Sequence, residues 1–329
     1  MTSIKIKEIA IYHPENIVTN EFYIEEHKKQ GNDVKEFLED VLGRDKRYVI
    51  DQDDENSFTM ALKASKHVLE KASMTGDVLD MIVFSSQTPE YLATTNAIQL
   101  HHALKAGHHT MVMDSNANCA GMMVAIDQTS RYLLQNEHVH TALVVGSDFN
   151  TLMGNPEQAI TYGNLGDASC AIILEKTTED TGFIDSIYHT NSVTHANTFF
   201  PRHGLTKTIR GEAKDQSIDW IPFDGDMALA PTYEMMEKIL DRNHLSIKDI
   251  DAFCLSQFSI ANIKRVQSHF DIEDHKIMYI GDQFGYTGTS SPFIALHEGI
   301  QTGRIKRGDT VLFWTIGGGF QLACMLFTY

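Results

Sequence analysis

Short, almost wholly apolar runs alternate along this chain with longer segments of helical periodicity, and that alternation constrains the fold most. Strand-length runs fall near residues 4–12, 80–86, 110–114, 141–147 and 169–175, then near 183–189, 251–257, 276–281, 310–316 and 321–328. Helix-like segments intervene at Ser57–Lys71, Asn96–Leu104, Gly121–Gln135, Thr232–Asn243, Ile260–His269 and Ser291–Thr302. Strands without polar alternate positions are buried on both faces, as in sheets covered by helices. The order predicts a layered α/β structure, and its repetition predicts an internal duplication. We place the two halves at residues 1–176 and 177–329. Residues 190–226 are long, polar and irregular, and read as a loop over the entrance to a site.

The 329 residues suffice for two fused half-domains, and a hydrophobic content of 42% is ordinary for a soluble protein. No run is long enough to span a bilayer, and the N-terminus carries no apolar signal region, so no membrane insertion is expected. The net charge of −17 argues against a nucleic-acid partner. Four cysteines, Cys119, Cys170, Cys254 and Cys324, show no CxxC spacing, and a reducing cytoplasm is the natural compartment. The pairs His101-His102 and His108-His109 have no acidic partner at ligand spacing, and read as surface histidines rather than a metal site.

Cys119 stands apart from the other three. It follows the strand-like Thr110-Met111-Val112-Met113 and precedes the helix-like run that begins at Met122. A cysteine at such a turn faces the positive end of a helix dipole, which is expected to lower its thiol pKa. Ala117, Ala120 and Gly121 leave room for a substrate carbonyl. Near the C-terminus, the buried run Val311–Ile316 leads into Gly317-Gly318-Gly319-Phe320. Glycines let a backbone approach a ligand and present an N–H to it. Alone such a turn is no more than a tight connection between two strands. Beside a candidate nucleophile it reads as an oxyanion hole.

The combination resembles the 3-oxoacyl-ACP synthase III family of the thiolase superfamily. The resemblance runs along nearly the whole chain, through Ile4–Pro14, Ser85–Leu92, Ala142–Asp148, Leu165–Ala171 and Gly303–Asp309. It implies a thiolase-like α/β fold, with duplicated βα halves in α-β-α-β-α layers. It implies a Cys-His-Asn triad as well, and here the sequence departs. The family's His-Gln-Ala-Asn segment reads Ser259-Ile260-Ala261-Asn262, and its Gly-Asn-Thr segment reads Gly285-Tyr286-Thr287. Ser259 and Tyr286 thus stand where the catalytic His and Asn are expected, while Cys119 and Gly318 align with the nucleophile and the oxyanion hole. Neither hydroxyl is a useful base near neutral pH, so acyl transfer to Cys119 is easier to retain than decarboxylative condensation. His189, His195 and His203 flank the middle loop, and one of them is a candidate to replace the base in space.

The resemblance further implies an acyl-carrier-protein or CoA thioester as substrate, no cofactor, and a homodimer in which Tyr91 and Leu92 reach the partner's acyl pocket. Lys264, followed by Arg265, falls where the family binds its carrier, and Lys207 and Arg210 lie in the middle loop. In the segment that clasps CoA, Phe37 replaces a Trp and Val41 an Arg, with Arg44 and Lys46 as substitute cations. Three readings follow. One is an acyltransferase of specialised lipid or secondary metabolism that passes the acyl group to an amine, hydroxyl or carbon. Another is a condensing enzyme using Ser259 and Tyr286 as donors. The third is a non-catalytic acyl-binding or heterodimer partner subunit.

Overall fold

A computed structural model describes residues 2–329. Two sheets organise the chain. The first runs in spatial order Ser3–Tyr12, Ala168–Thr177, Thr141–Asp148, Met81–Ser85, Met111–Ser115. Met81–Ser85 is parallel to both of its neighbours, and the other two pairings are antiparallel. The second sheet runs Ala252–Leu255, Thr310–Gly317, Gln321–Thr328, Gly182–Thr190, parallel in its first pairing and antiparallel in the others. The chain passes from one sheet to the other between Thr177 and Gly182.

Three apolar clusters bind five layers. Helices Ser57–Lys71 and Asn96–Leu104 cover the outer face of the first sheet through Ala61, Ala64, Val68 and Leu100 on Ile82, Phe84, Leu143 and Ile173. Helices Gly121–Gln135 and Ser291–Gln301 lie between the sheets. Their Met122, Ile126, Leu133, Phe293 and Leu296 meet Val144 and Ile172 on one side, Phe313 and Met325 on the other. Helices Leu229–Arg242 and Ile260–Phe270 cover the outer face of the second sheet. This is the thiolase-like α/β layering. Thr141–Asp148 is buried at every residue, as its central apolar run Ala142–Val145 predicts.

The strand expected near 276–281 does not form. Only an isolated bridge, Phe253 to Ile277, survives, followed by the short helix Gly281–Phe284. The fully buried Gln257 side chain takes the place of a partner strand. Its Nε2 donates to Leu255 O (2.7 Å) and Met278 O (3.1 Å), while Oε1 accepts from Ile280 N (2.9 Å) and Gly281 N (3.1 Å). All its bonding capacity is used, so the segment needs no ladder. The middle loop is also less irregular than its sequence suggests. It folds as a strap with a ribbon, Thr198–Phe199 against Asp219–Trp220, and a short helix, Leu205–Ile209.

Candidate active site

The Cys119 turn is built from its own asparagines. Asn116 Oδ1 accepts from Asn118 N (2.9 Å), and Asn118 takes a left-handed φ of 51°, which asparagine tolerates best after glycine. The turn then meets the glycine-rich connection. A Cβ on Gly317 would lie 3.1 Å from Ala117 O, so only glycine allows this approach without a shift. Asn118 Nδ2 donates to Gly318 O (3.4 Å), and Thr315 Oγ1 donates to Cys119 O (3.3 Å).

The backbone amides of Cys119 and Gly318 and the Tyr286 hydroxyl stand near enough to the Cys119 sulfur to favour its thiolate. Two amides beside one thiol are the arrangement an oxyanion hole requires. Burial nevertheless dominates and pushes the thiol up to about 11. The Tyr286 hydroxyl opposes it, the buried Asp148 charge adds to it, and the two amides oppose it. The expected helix-dipole activation is therefore outweighed. The nearest helical amides are engaged elsewhere: Gly121 N with Asn118 O (2.9 Å), Met122 N with Thr289 Oγ1 (2.6 Å).

Tyr286 is brought to Cys119 by the bend at Gly285, with Tyr286 N on Asn164 O (2.9 Å) and Gly166 N on Tyr286 O (3.0 Å). Ser259 is not brought there. It caps helix Ile260–Phe270, and its hydroxyl donates to Val41 O (2.7 Å). The hydroxyl beside that of Tyr286 belongs instead to Ser256, at the end of strand Ala252–Leu255. Ser256 is buried, and its Oγ makes no bond of full geometry with any described group. The difference lies in Gln257-Phe258-Ser259. Counting back from the helix reaches Ser259, whereas following the strand outward reaches Ser256.

Two further residues escaped the sequence reading, although both lie in segments it singled out. Asp148 is fully buried and accepts from Ser86 Oγ (3.1 Å), Gln87 N (2.8 Å) and Thr289 N (2.8 Å). Burial pushes its carboxyl up to about 6 against those bonds. It ties together the three loops around Cys119. Gln87 places its Oε1 3.9 Å from the Cys119 sulfur. The available signal was a polar residue closing each apolar strand run.

The groups that reach the Cys119 sulfur are thus Tyr286, Gln87 and two backbone amides, none of them an imidazole. His189 pairs with Leu322, whose side chain packs in the outer cluster, while Thr315 and Cys119 face the inner layer. His195 and His203 are exposed on the strap. The strap lies against the glycine turn through Thr198 and His195, and Trp220 stacks on Phe258, whose ring meets that of Tyr286 edge-on at 5.1 Å. Arg44 is unavailable to a phosphate. It is buried and bonds Asn164 Oδ1 (2.8 Å), Phe258 O (3.0 Å) and Gln257 O. Arg265 pairs with Asp226 of the strap, while Lys264 is exposed with no ion pair among the described residues. Tyr91 and Leu92 are exposed, at 44% and 63%. Among the described residues, no three His, Cys, Asp or Glu side chains group as metal ligands, and no helix is long and apolar enough to cross a membrane.

The half-buried Cys119 thus lies where the turn after Met111–Ser115 meets the glycine-rich connection, on a layered α/β fold. Comparisons with known proteins give the family. Residues 113–192 match the family model for 3-oxoacyl-[acyl-carrier-protein] synthase III, and residues 240–329 match the model for its C-terminal part. A beta-ketoacyl-[acyl-carrier-protein] synthase III of Coxiella burnetii is 26% identical over 330 residues, covering 99% of each chain. One from Pseudoalteromonas atlantica is 28% identical over 298 residues, 89% of this chain and 91% of the other. The Aquifex aeolicus synthase III structure superposes with a TM-score of 0.86 at 20% identity, covering 99% and 100% of the chains. An OleA variant from Xanthomonas campestris gives 0.81 at 19% identity, covering 100% and 98%. The chain belongs to the 3-oxoacyl-ACP synthase III family. Enzymes of this family take acyl-carrier-protein or CoA thioesters and use no cofactor.

Proposed function

We propose that the chain is an acyltransferase that accepts an acyl group on Cys119 from a carrier-protein or CoA thioester. It then passes the group to an acceptor without decarboxylation, in specialised lipid or secondary metabolism. One observation carries the reading: Cys119 keeps its two backbone donors, while its side-chain neighbours are a phenol and an amide. An oxyanion hole supports thioester exchange. Decarboxylative condensation in this family draws on His and Asn donors, for which the sequence substitutes hydroxyls. In the exchange, the Cys119 sulfur bonds to the acyl carbon, the donor's C–S bond breaks, and the thiol proton ends on the departing pantetheine sulfur.

A second reading has one observation in its favour. Ser256, taken in the role the sequence assigned to Ser259, has its hydroxyl beside that of Tyr286 without a full bond. Two donors side by side suit the enolate of a malonyl thioester, which is the condensing alternative. The reading includes a homodimer, for which Met111–Ser115 supplies an open sheet edge next to exposed Tyr91 and Leu92. It includes a carrier docked near Lys264, and a cytoplasmic setting.

The test is intact-protein mass spectrometry of wild type and Cys119→Ala, each mixed with acyl-CoA and acyl-carrier thioesters. An acyl mass on wild type alone is expected, and carbon dioxide release from malonyl-CoA is not. No adduct from any donor would refute the acyl-enzyme and leave the partner-subunit reading.

A further inference from the structure

The orientation of the Gln87 amide is dictated by its neighbours. Asn150 is fully buried, and its Nδ2 donates to Gly166 O (3.1 Å) and Tyr286 O (3.4 Å). Two carbonyl oxygens there leave the Asn150 Oδ1 to face Gln87, so Gln87 must present its amide nitrogen to it, at 2.9 Å. The backbone of Gln87 is pinned as well, through its N–H to Asp148 Oδ1 (2.8 Å). Oε1 is therefore fixed toward the Cys119 sulfur, 3.9 Å away. The site thus sets donors (the Cys119 and Gly318 amides and the Tyr286 hydroxyl) beside one oriented acceptor that cannot take a proton.

We propose that Gln87 Oε1 receives an N–H of a primary amine and aims its lone pair at the acyl carbon on Cys119, making an amine the acceptor class of this enzyme. The inference rests on the acyl-enzyme reading above. An acceptor oxygen does nothing to draw in a malonyl thioester, whose enolate requires donors. An alcohol must lose its proton as it attacks, and an amide is no base. A neutral amine needs neither. It attacks with its own lone pair, the C–N bond forms, and the Cys119 C–S bond breaks. The surplus ammonium proton moves to the departing sulfur, regenerating the thiol. A thiol held at about 11 accepts that proton readily at neutral pH.

The test uses the full-length wild type, Gln87→Leu and Gln87→Met. Each is loaded with the acyl-CoA that labels wild type, freed of donor, and chased with benzylamine, benzyl alcohol or malonyl-CoA while acyl mass is followed. Benzylamine is expected to release the wild-type acyl group at least about tenfold faster than benzyl alcohol. Gln87→Leu is expected to lose at least about tenfold in benzylamine release, with loading reduced less than about threefold. Gln87→Met keeps the length of the side chain without an acceptor oxygen and is expected to lose as much. Wild-type release by malonyl-CoA faster than by benzylamine overturns the inference. Undiminished release in Gln87→Leu or Gln87→Met overturns it too. If Gln87→Leu does not load, the Gln87→Met result decides. Failure of wild type to load refutes the acyl-enzyme itself, before any chase.

Discussion

Ser256 and Gln257 are sequence neighbours at the end of one strand, both buried, and they serve opposite purposes. Gln257 spends every donor and acceptor on backbone groups and fixes the segment that leads to Tyr286. Ser256 keeps its hydroxyl free of full-geometry bonds, beside Tyr286. A saturated polar group builds the site, and an unsaturated one is left for a substrate or water. The contrast extends to the whole centre. In the proposed reaction the acyl group is held by backbone amides fixed by turn geometry, whereas the acceptor meets side chains, among them Gln87 and Tyr286.

Gln257→Leu should break the comparison hardest. It strands Ile280 N, Gly281 N, Leu255 O and Met278 O, and unpaired buried groups at 1–3 kcal/mol each put the loss at about 4 kcal/mol or more. Urea unfolding measures it, and a loss below about 1 kcal/mol would show that the segment is held by other contacts. Asp148 comes next. Its carboxyl titrates higher in the folded chain than the ordinary 3.8, at about 6. Its stabilising share is complete below about pH 4 and is lost as pH rises through about 6, a swing of about 3 kcal/mol. Asp148→Asn should therefore flatten the fall in stability between pH 4 and 7, compared with wild type by urea midpoints at both pH values.

Tyr286→Phe removes a bond that opposes the rise of the Cys119 thiol. Its thiol should titrate above about 11, and alkylation by iodoacetamide at pH 8 should slow by about tenfold. A faster reaction would mean that the phenol shields the sulfur rather than activating it. Ser256→Ala should show the smallest effect on folding, under about 0.5 kcal/mol, because no full bond is lost. The same variant is expected to change turnover. A large loss of stability without a change in turnover would reverse the roles assigned to the two neighbours.

What could be read from the sequence follows from what each element depends on. Thr141–Asp148 and Thr310–Gly317 are legible because burial on both faces demands apolar runs. The turn at Cys119 and its approach by Gly317-Gly318-Gly319 are legible because a turn chemistry and a glycine requirement leave marks in the residue types. The segment 276–281 was misread because a side chain, Gln257, replaces a strand, and no periodicity records that. Ser256 was hidden by the chain length between strand end and helix start, which a short motif cannot register. Gln87 and Asp148 were hidden because their importance lies in partners 61 and 62 residues away along the chain.

The strap also gives the molecule a built-in optical gauge. The chain has two tryptophans, Trp220 and Trp314. Trp314 is only 5% exposed within the outer cluster, whereas Trp220 sits on the strap and stacks on Phe258, one ring away from Tyr286. Any substrate that parts Trp220 from Phe258 moves an indole toward water while the other stays dry. Intrinsic fluorescence then separates into a constant blue background and a component that reddens with occupancy, so binding can be timed without attaching a label.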